Sequence, residues 1–294
     1  MLKRKTKSDL TFDIINYLFL GCFTLMILYP LYFIVIASIS DPNKIYSGDV
    51  WLLPQNITFD GYKRIFSDSS IWNGYKNSIL YAVLNGFVST TLVIMAAYPL
   101  SRKDFYGRNV IMTFFIITMF FNGGIIPTYL VIKDLHLMNS MWAVILPGAM
   151  DAFLIIIAKT FFEELPEELR EAAAIDGARN LRYLWSIVLP LSKPIIAVLV
   201  LFAVVRQWNG FFDALIYLSD SDKFPLQLVL RNILIQSQPS GNMLMDIDNM
   251  LAKQRVTELI KFGVIIVSAV PLLALYPFLQ RYFVKGVMVG SVKG

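Results

Sequence analysis

Glu163-Glu164-Leu165-Pro166-Glu167-Glu168-Leu169-Arg170-Glu171-Ala172-Ala173-Ala174-Ile175-Asp176-Gly177-Ala178 stands between two long apolar runs, 141–162 and 195–218. Pro166 suits the first turn of a helix, and Glu167 and Glu168 favour its positive end. Gly177 fits the position just past the C-terminus. A second short helix over about 180–188 then leads into Leu189-Pro190. The small side chains of Ala172, Ala173 and Ala174 predict a flat face against which another backbone packs closely. Two uses fit this pattern equally: docking another protein, or merely capping the link between two spans.

The rest of the chain says what those apolar runs are. Of 294 residues, 56% are hydrophobic and only 16% charged, against about 45–50% and about 25% in soluble domains. Mean hydropathy is +0.60. A soluble domain cannot hide so much apolar surface, so this is a membrane protein. One cysteine, Cys22, cannot form an internal bridge, which excludes a disulfide scaffold. The net charge of +5 needs no nucleic acid, because membrane proteins concentrate Lys and Arg in their cytoplasmic loops.

A helix needs about 20 mostly apolar residues to cross the hydrocarbon. Six segments qualify: 14–36, 78–100, 109–132, 141–162, 195–218 and 259–283. The first is too long for a signal-peptide core and lacks a small-residue cleavage site. The expectation is therefore an all-α membrane protein with a cytoplasmic N-terminus (1–13), a six-span domain (14–283) holding a connecting loop at 163–190, and a cytoplasmic tail (284–294). Fourteen Lys and Arg fall on the side of the N-terminus and nine in the opposite connections, two of which are long. By the positive-inside rule both termini are cytoplasmic. In the outer connection 38–77, Trp51, Phe59, Tyr62, Phe66 and Trp72 read as an interfacial belt. In 219–257, the patch Phe224-Pro225-Leu226-Gln227-Leu228-Val229-Leu230 reads as an interfacial or re-entrant helix.

The loop also carries a resemblance. Glu171-Ala172-Ala173, three residues, Gly177, nine residues, then Ile187-Val188-Leu189-Pro190 is similar to the EAA signature of ABC-importer permease subunits. Met119-Phe120-Phe121-Asn122-Gly123-Gly124-Ile125-Ile126-Pro127-Thr128-Tyr129 resembles the third span of the carbohydrate-importer branch, especially its polysaccharide- and oligosaccharide-linked members. Trp208-Asn209-Gly210-Phe211-Phe212-Asp213-Ala214-Leu215 and the tail Gln280 to Gly286 and Val292-Lys293-Gly294 fit the same MalG-type branch. The resemblance implies a bacterial plasma-membrane subunit for sugar import. It implies a second, homologous permease, two ATP-binding subunits that hold ATP and Mg, and an extracytoplasmic solute-binding lipoprotein. In such importers the EAA helix lies in a cleft of the ATPase. Glu171 would be the polar contact, Ala172 and Ala173 the packing surface, Gly177 the turn, with Leu189 and Pro190 closing the signature. The tail 285–294 would reach the ATPase dimer. This chain contains no Gly-Lys dipeptide, hence no phosphate-binding loop; it is expected to be non-catalytic and to bind no cofactor itself.

Ionisable residues inside spans are functional candidates. Asp151 and Arg206 each lie roughly halfway along a span. Their opposite charges predict a buried pair; the alternative is that Asp151 faces a sugar path. Asn85, Asn122, Tyr129, Trp208, Asn209 and Asp213 complete the substrate-path candidates, since aromatic faces with amide and carboxylate groups suit a sugar ring. Gly123-Gly124 and Pro127 predict a kink in the third span. His136, the one histidine, lacks companions for a metal. An ion-gradient-driven secondary transporter or channel is the competing class. It predicts inverted repeats and several intramembrane carboxylates, and the sequence offers neither.

Overall fold

The computed structural model describes residues 7–236, 260–274 and 277, and those residues form helices and connections with no strand. They divide into two compact units, one within 1–68 and 232–269, the other within 69–231 and 270–294.

The first unit is built on α1 (Lys7–Ser38), followed by α2 (Pro42–Tyr46) and α3 (Asp60–Ser67). Most of α1 is apolar yet exposed on the isolated chain. That is the pattern of a helix whose solvent is lipid or another membrane helix. Near its C-terminal end, Tyr62 donates to Ser38 Oγ at 2.8 Å. Phe33 meets Phe262, on the apolar helix 260–274, edge-on at 5.9 Å.

The second unit is organised by α4 (Ser69–Ser101). Its buried stripe Ser78, Ala82, Gly86, Ser89 and Ala97 is made of small residues, so neighbouring helices approach its backbone. At Gly86 a Cβ would lie 3.0 Å from Val204, on α12 (Lys193–Asn209). Between α4 and α12 lie α5 (Arg108–Phe120), α6 (Ile125–Asp134), α7 (Met141–Ile145), α8 (Ala152–Glu163), α9 (Glu167–Ile175), α10 (Asn180–Tyr183) and α11 (Leu189–Leu191). After α12 come α13 (Phe212–Tyr217) and α14 (Leu226–Gln236).

Three expected spans are not continuous helices. The segment 109–132 is two helices, α5 and α6, bent by 114°. The break falls at Asn122-Gly123-Gly124, where Gly124 has φ +80° and its N–H is taken by Asn122 Oδ1 at 3.0 Å. Left-handed backbone of this kind is cheap only for glycine, so the kink read from the glycines becomes a full break. The segment 141–162 bends by 53° before α8, because Asp151 caps α8 through the N–H groups of Phe153 and Leu154. The segment 195–218 is α12 and α13, divided at Gly210-Phe211. Among the described residues two helices are long and apolar enough to cross a membrane, α1 and α4, or five if each bent pair counts as one span. Residues 1–6, 237–259, 275–276 and 278–294 lie outside the described residues; they include the expected tail 284–294 and parts of the expected N-terminal segment 1–13, outer connection 219–257 and sixth span 259–283.

Of the two readings of the patch 224–230, the interfacial one is corrected. Leu226, Leu228, Val229 and Leu230 are buried within the protein, not laid on a membrane surface, and the Leu226 N–H donates to Ser78 Oγ at 2.8 Å. A Cβ on Gly74 would lie 3.0 Å from the Leu226 Cα, backbone that cannot swing aside. Gly74→Val is therefore expected to destabilise the fold by about 1–3 kcal/mol. Gly21→Ala on α1, with nothing within 4 Å of the added Cβ, should cost nothing and raise stability by up to about 1 kcal/mol through helix propensity. Thermal unfolding of the two purified variants in detergent, against the parent chain, checks the contrast.

Candidate functional site: a core-anchored loop and a polar pocket

The loop after α8 turns sharply at Pro166, whose backbone (φ −56°, ψ 132°) starts α9. α9 ends in a Schellman turn: Ala178 N–H bonds Ala173 C=O at 2.8 Å and Gly177 N–H bonds Ala174 C=O at 3.0 Å. Gly177 sits at φ +73°, where any other L-residue pays about 1–2 kcal/mol. The chain continues through α10 into a π turn over Leu184–Val188, closed by Leu189 N–H on Leu184 C=O. The wider turn gives room to the ring of Pro190, which has no N–H to donate and would clash with the carbonyl four residues back. Ser192 then ends this arm, and α12 leaves at 83° to it.

One side of the loop belongs to this chain's own core. Ala173, Tyr183, Leu184 and Val188 are buried in one cluster with Val93 and Ala97 of α4, Leu154, Ile155 and Ala158 of α8, and Leu199 of α12. The expectation that Ala172 and Ala173 share one outward packing face is thereby revised. Successive helical residues point about 100° apart; Ala173 faces inward at 6% exposure, while Ala172 faces out. Glu171 lies on the outer side, and so do three apolar residues that the sequence reading passed over: Ile175, Leu181 and Trp185, exposed by 87%, 72% and 70%. An isoleucine closing a glutamate-rich helix was the available signal for them.

A polar clamp joins the loop to the turn after α4. Asp104 receives the Arg102 guanidinium at 2.8 and 3.0 Å, and Arg170 Nη1 lies 3.5 Å from the same carboxylate. Arg170 also pairs with Glu167 one turn back on α9. Arg102 further donates to the Tyr98 hydroxyl at 3.3 Å and to Asn180 Oδ1 at 3.5 Å. The Arg102 hydrogen bond holds the Asp104 carboxyl below the usual carboxylate range, and that bond likewise pushes Arg102 up. Burial pushes the Tyr183 hydroxyl up. Because the Asp104 pKa is lowered, its contribution is present above the unfolded value of 3.8 and is lost only as the pH falls below it. Sequence reading used Arg102 only to orient the chain.

A second cluster lies where the broken helices meet. A cavity of about 340 Å³ is lined by Asn122, Thr128, Gly148, Asp213 and Tyr217, among others. Tyr129 stacks on Tyr217 with ring centres 6.5 Å apart. Arg206 Nη1 meets Asp151 Oδ2 at 2.8 Å, and its other terminal nitrogen donates to the Gly148 carbonyl. The expected pair therefore forms, but with side chains 40% and 31% exposed on this chain it is not the buried pair read from the sequence. Asp151 thus holds a cap and an ion pair at once. The remaining candidates stand apart. Asn85 is buried between α4 and α12 and donates to the Ala203 carbonyl at 2.9 Å. Trp208 is buried with its ring 6.3 Å from that of Tyr75, and Asn209 donates to Val205 within its own helix. Among the described residues no His, Cys, Asp and Glu group could hold a metal ion.

These features define a helical membrane component with a protruding, core-anchored loop. The chain belongs to the family described as binding-protein-dependent transport system inner membrane component, which matches residues 89–289 and so spans the loop and the pocket. It is 41% identical over 98% of its length to protein LplC of Bacillus subtilis, covering 97% of that protein. It is 42% identical over 96% of its length to the polygalacturonan/rhamnogalacturonan transport system permease protein YtcP of the same organism, covering 98%. Its fold matches a crystal structure of a bacterial ABC transporter involved in the import of the acidic polysaccharide alginate, with TM-score 0.85 and 34% identity over 95% of this chain and 99% of that one.

The pair makes a test of its own. Asp151→Asn and Arg206→Gln should each lower the yield of folded protein, and the double variant should recover part of the loss. The interaction energy expected in thermal unfolding is about 0.5–3 kcal/mol. Additive losses would mean that the two side chains act independently.

Proposed function

We propose that this chain is the membrane-spanning permease subunit of an ATP-driven bacterial importer that carries an oligosaccharide across the plasma membrane. The observation that carries this reading is the 163–191 loop, anchored in the core of the membrane helices on one side and presenting exposed Glu171, Ala172, Ile175, Leu181 and Trp185 on the other. Such a surface suits a cleft in an ATP-hydrolysing partner, and its anchoring suits the transfer of that partner's motion to α4, α8 and α12. The family's dependence on a binding protein, the polygalacturonan/rhamnogalacturonan transport relative and the structural match to an importer of the acidic polysaccharide alginate favour a sugar delivered from outside. The reading includes six spans with both termini in the cytoplasm, a second homologous permease, two ATP-binding subunits holding ATP and Mg, and a solute-binding lipoprotein. The ion-gradient-driven alternative has no support among relatives that match this chain end to end.

Within this reading Gly177 sets the turn after the docking helix, and Leu189 and Pro190 form the elbow that joins the loop to α12. Asn122, Tyr129 and Asp213 line or adjoin the sugar path, whereas Asn85, Trp208 and Asn209 tie helices together. Asp151 serves mainly as the partner of Arg206 at the edge of that path.

Two outcomes test the proposal. Gly177→Val should insert into the membrane yet abolish sugar uptake in cells, with ATP hydrolysis losing its dependence on binding protein; unchanged uptake would count against docking through this loop. The chain alone in liposomes should neither hydrolyse ATP nor accumulate sugar under a proton or sodium gradient. Gradient-driven accumulation by the lone chain would restore the secondary-transporter reading.

A further inference from the structure

Residues 39–58, between α1 and α3, leave the end of α1 and return to it. The neck is closed by Thr58 N–H on Ile39 C=O at 2.9 Å and Asp41 N–H on Gln55 C=O at 3.0 Å. The tip does not extend away from α1 but folds back beside it. Tyr29 donates to the Trp51 carbonyl at 3.4 Å, and Tyr32 donates to the Leu52 carbonyl. These tyrosines lie six and nine residues before the last residue of α1, Ser38. That places their Cα atoms about 9 and about 13.5 Å below the helix end. Helical side chains lean toward the N-terminus, so the hydroxyls lie no nearer to that end than their Cα atoms. α1, 32 residues long, measures about 48 Å against about 30 Å of hydrocarbon, so its end stands in the headgroup zone and the tip beside it lies at the headgroup–acyl boundary.

Its chemistry matches that depth. Trp51, Leu52 and Leu53 are each 68% exposed, and no charged side chain occurs between Asp49 and Asp60. Of the charges nearest the tip, Lys44 pairs with Asp49 at 2.8 Å, and the Asp41 carboxylate is taken up in capping α2 through the Asn43 N–H. Backbone polar groups that enter lipid need partners inside the protein. Here the tyrosine hydroxyls supply them for two carbonyls and the Gly48 carbonyl takes the Trp51 indole N–H, while the remaining N–H groups of the tip stay within reach of headgroups and interfacial water. A loop facing water would gain nothing from three adjacent bare apolar side chains whose backbone carbonyls are tied back to the tyrosines of α1.

We infer that the tip Trp51-Leu52-Leu53 is a wedge inserted into the lipid of the leaflet at the C-terminal end of α1, fastening the start of the chain to the bilayer. The inference does not depend on the transported solute. The full chain, in nanodiscs whose lipids carry bromine on the upper acyl chain, provides the test. Trp51 is one of five tryptophans, so its emission is the difference between the parent and Trp51→Phe. The expected difference spectrum is blue-shifted, strongly quenched by the brominated lipid and insensitive to aqueous iodide. Quenching by iodide and not by bromine would overturn the wedge in favour of a water-facing surface, the arrangement a soluble binding protein would need. Quenching by neither would overturn it in favour of burial against another membrane subunit. If Trp51→Phe lowers the yield of protein, Leu53→Cys in a Cys22→Ser background, labelled with a polarity-sensitive fluorophore, gives the same three-way answer. None of these readouts measures transport, so the wedge and the importer assignment stand or fall separately.

Discussion

The structure depends most on a single cluster in which the 163–191 loop and the membrane helices share one core. Ala173, Tyr183 and Val188 of the loop interlock with Val93 and Ala97 of α4 and with Leu154 and Ala158 of α8. A loop held only by its two ends would swing when another protein pressed on it. Close-packed interiors resist such deformation and pass displacement onward. The Arg102–Asp104–Arg170 clamp adds a second tie from the turn after α4. Arg102 also reaches Asn180 on the far arm of the loop, so both arms are held from one point. Force on α9 is therefore force on α4 and α8.

At the pocket, the structure uses helix breaks to place polar groups where continuous helices would hide them. Each break has its own local device: Gly124 in left-handed backbone, the Asp151 cap, and the division at Gly210-Phe211. The freed backbone finds partners, as when Arg206 takes the Gly148 carbonyl. Irregular backbone at membrane depth is tolerated where it borders a cavity, and Asn122, Gly148 and Asp213 border this one.

Much of this was legible in the sequence, for reasons that differ by element. The apolar runs of α1 and α4 were readable because crossing hydrocarbon demands them, and the loop because Pro166, Gly177 and the alanines signal its turns. The break at Gly123-Gly124 was readable as a kink because only glycine accepts such backbone cheaply. The break at Asp151 was hidden, because one carboxylate can be read as an ion-pair partner or as a cap, and here it is both. Ala172 and Ala173 could not be assigned to opposite sides, since a run of alanines lacks the contrast that reveals a buried face. The patch 224–230 reads alike whether it meets lipid or a neighbouring helix, and only packing against Gly74 and Ser78 decides. The clamp joins residues far apart in sequence, Arg102 and Asp104 with Arg170 and Asn180, and no local pattern announces it.

The central claim is that α9 moves with the membrane helices as one body. Spin labels at Glu168 on α9 and Val83 on α4, both exposed, with Cys22→Ser to remove the native thiol, allow a pulsed electron-spin distance measurement in the assembled transporter. The account predicts the same narrow distance distribution in the nucleotide-free and ATP-trapped states, while distances from α9 to the second permease change. A shift of several ångström, or a marked broadening, within this pair would contradict it.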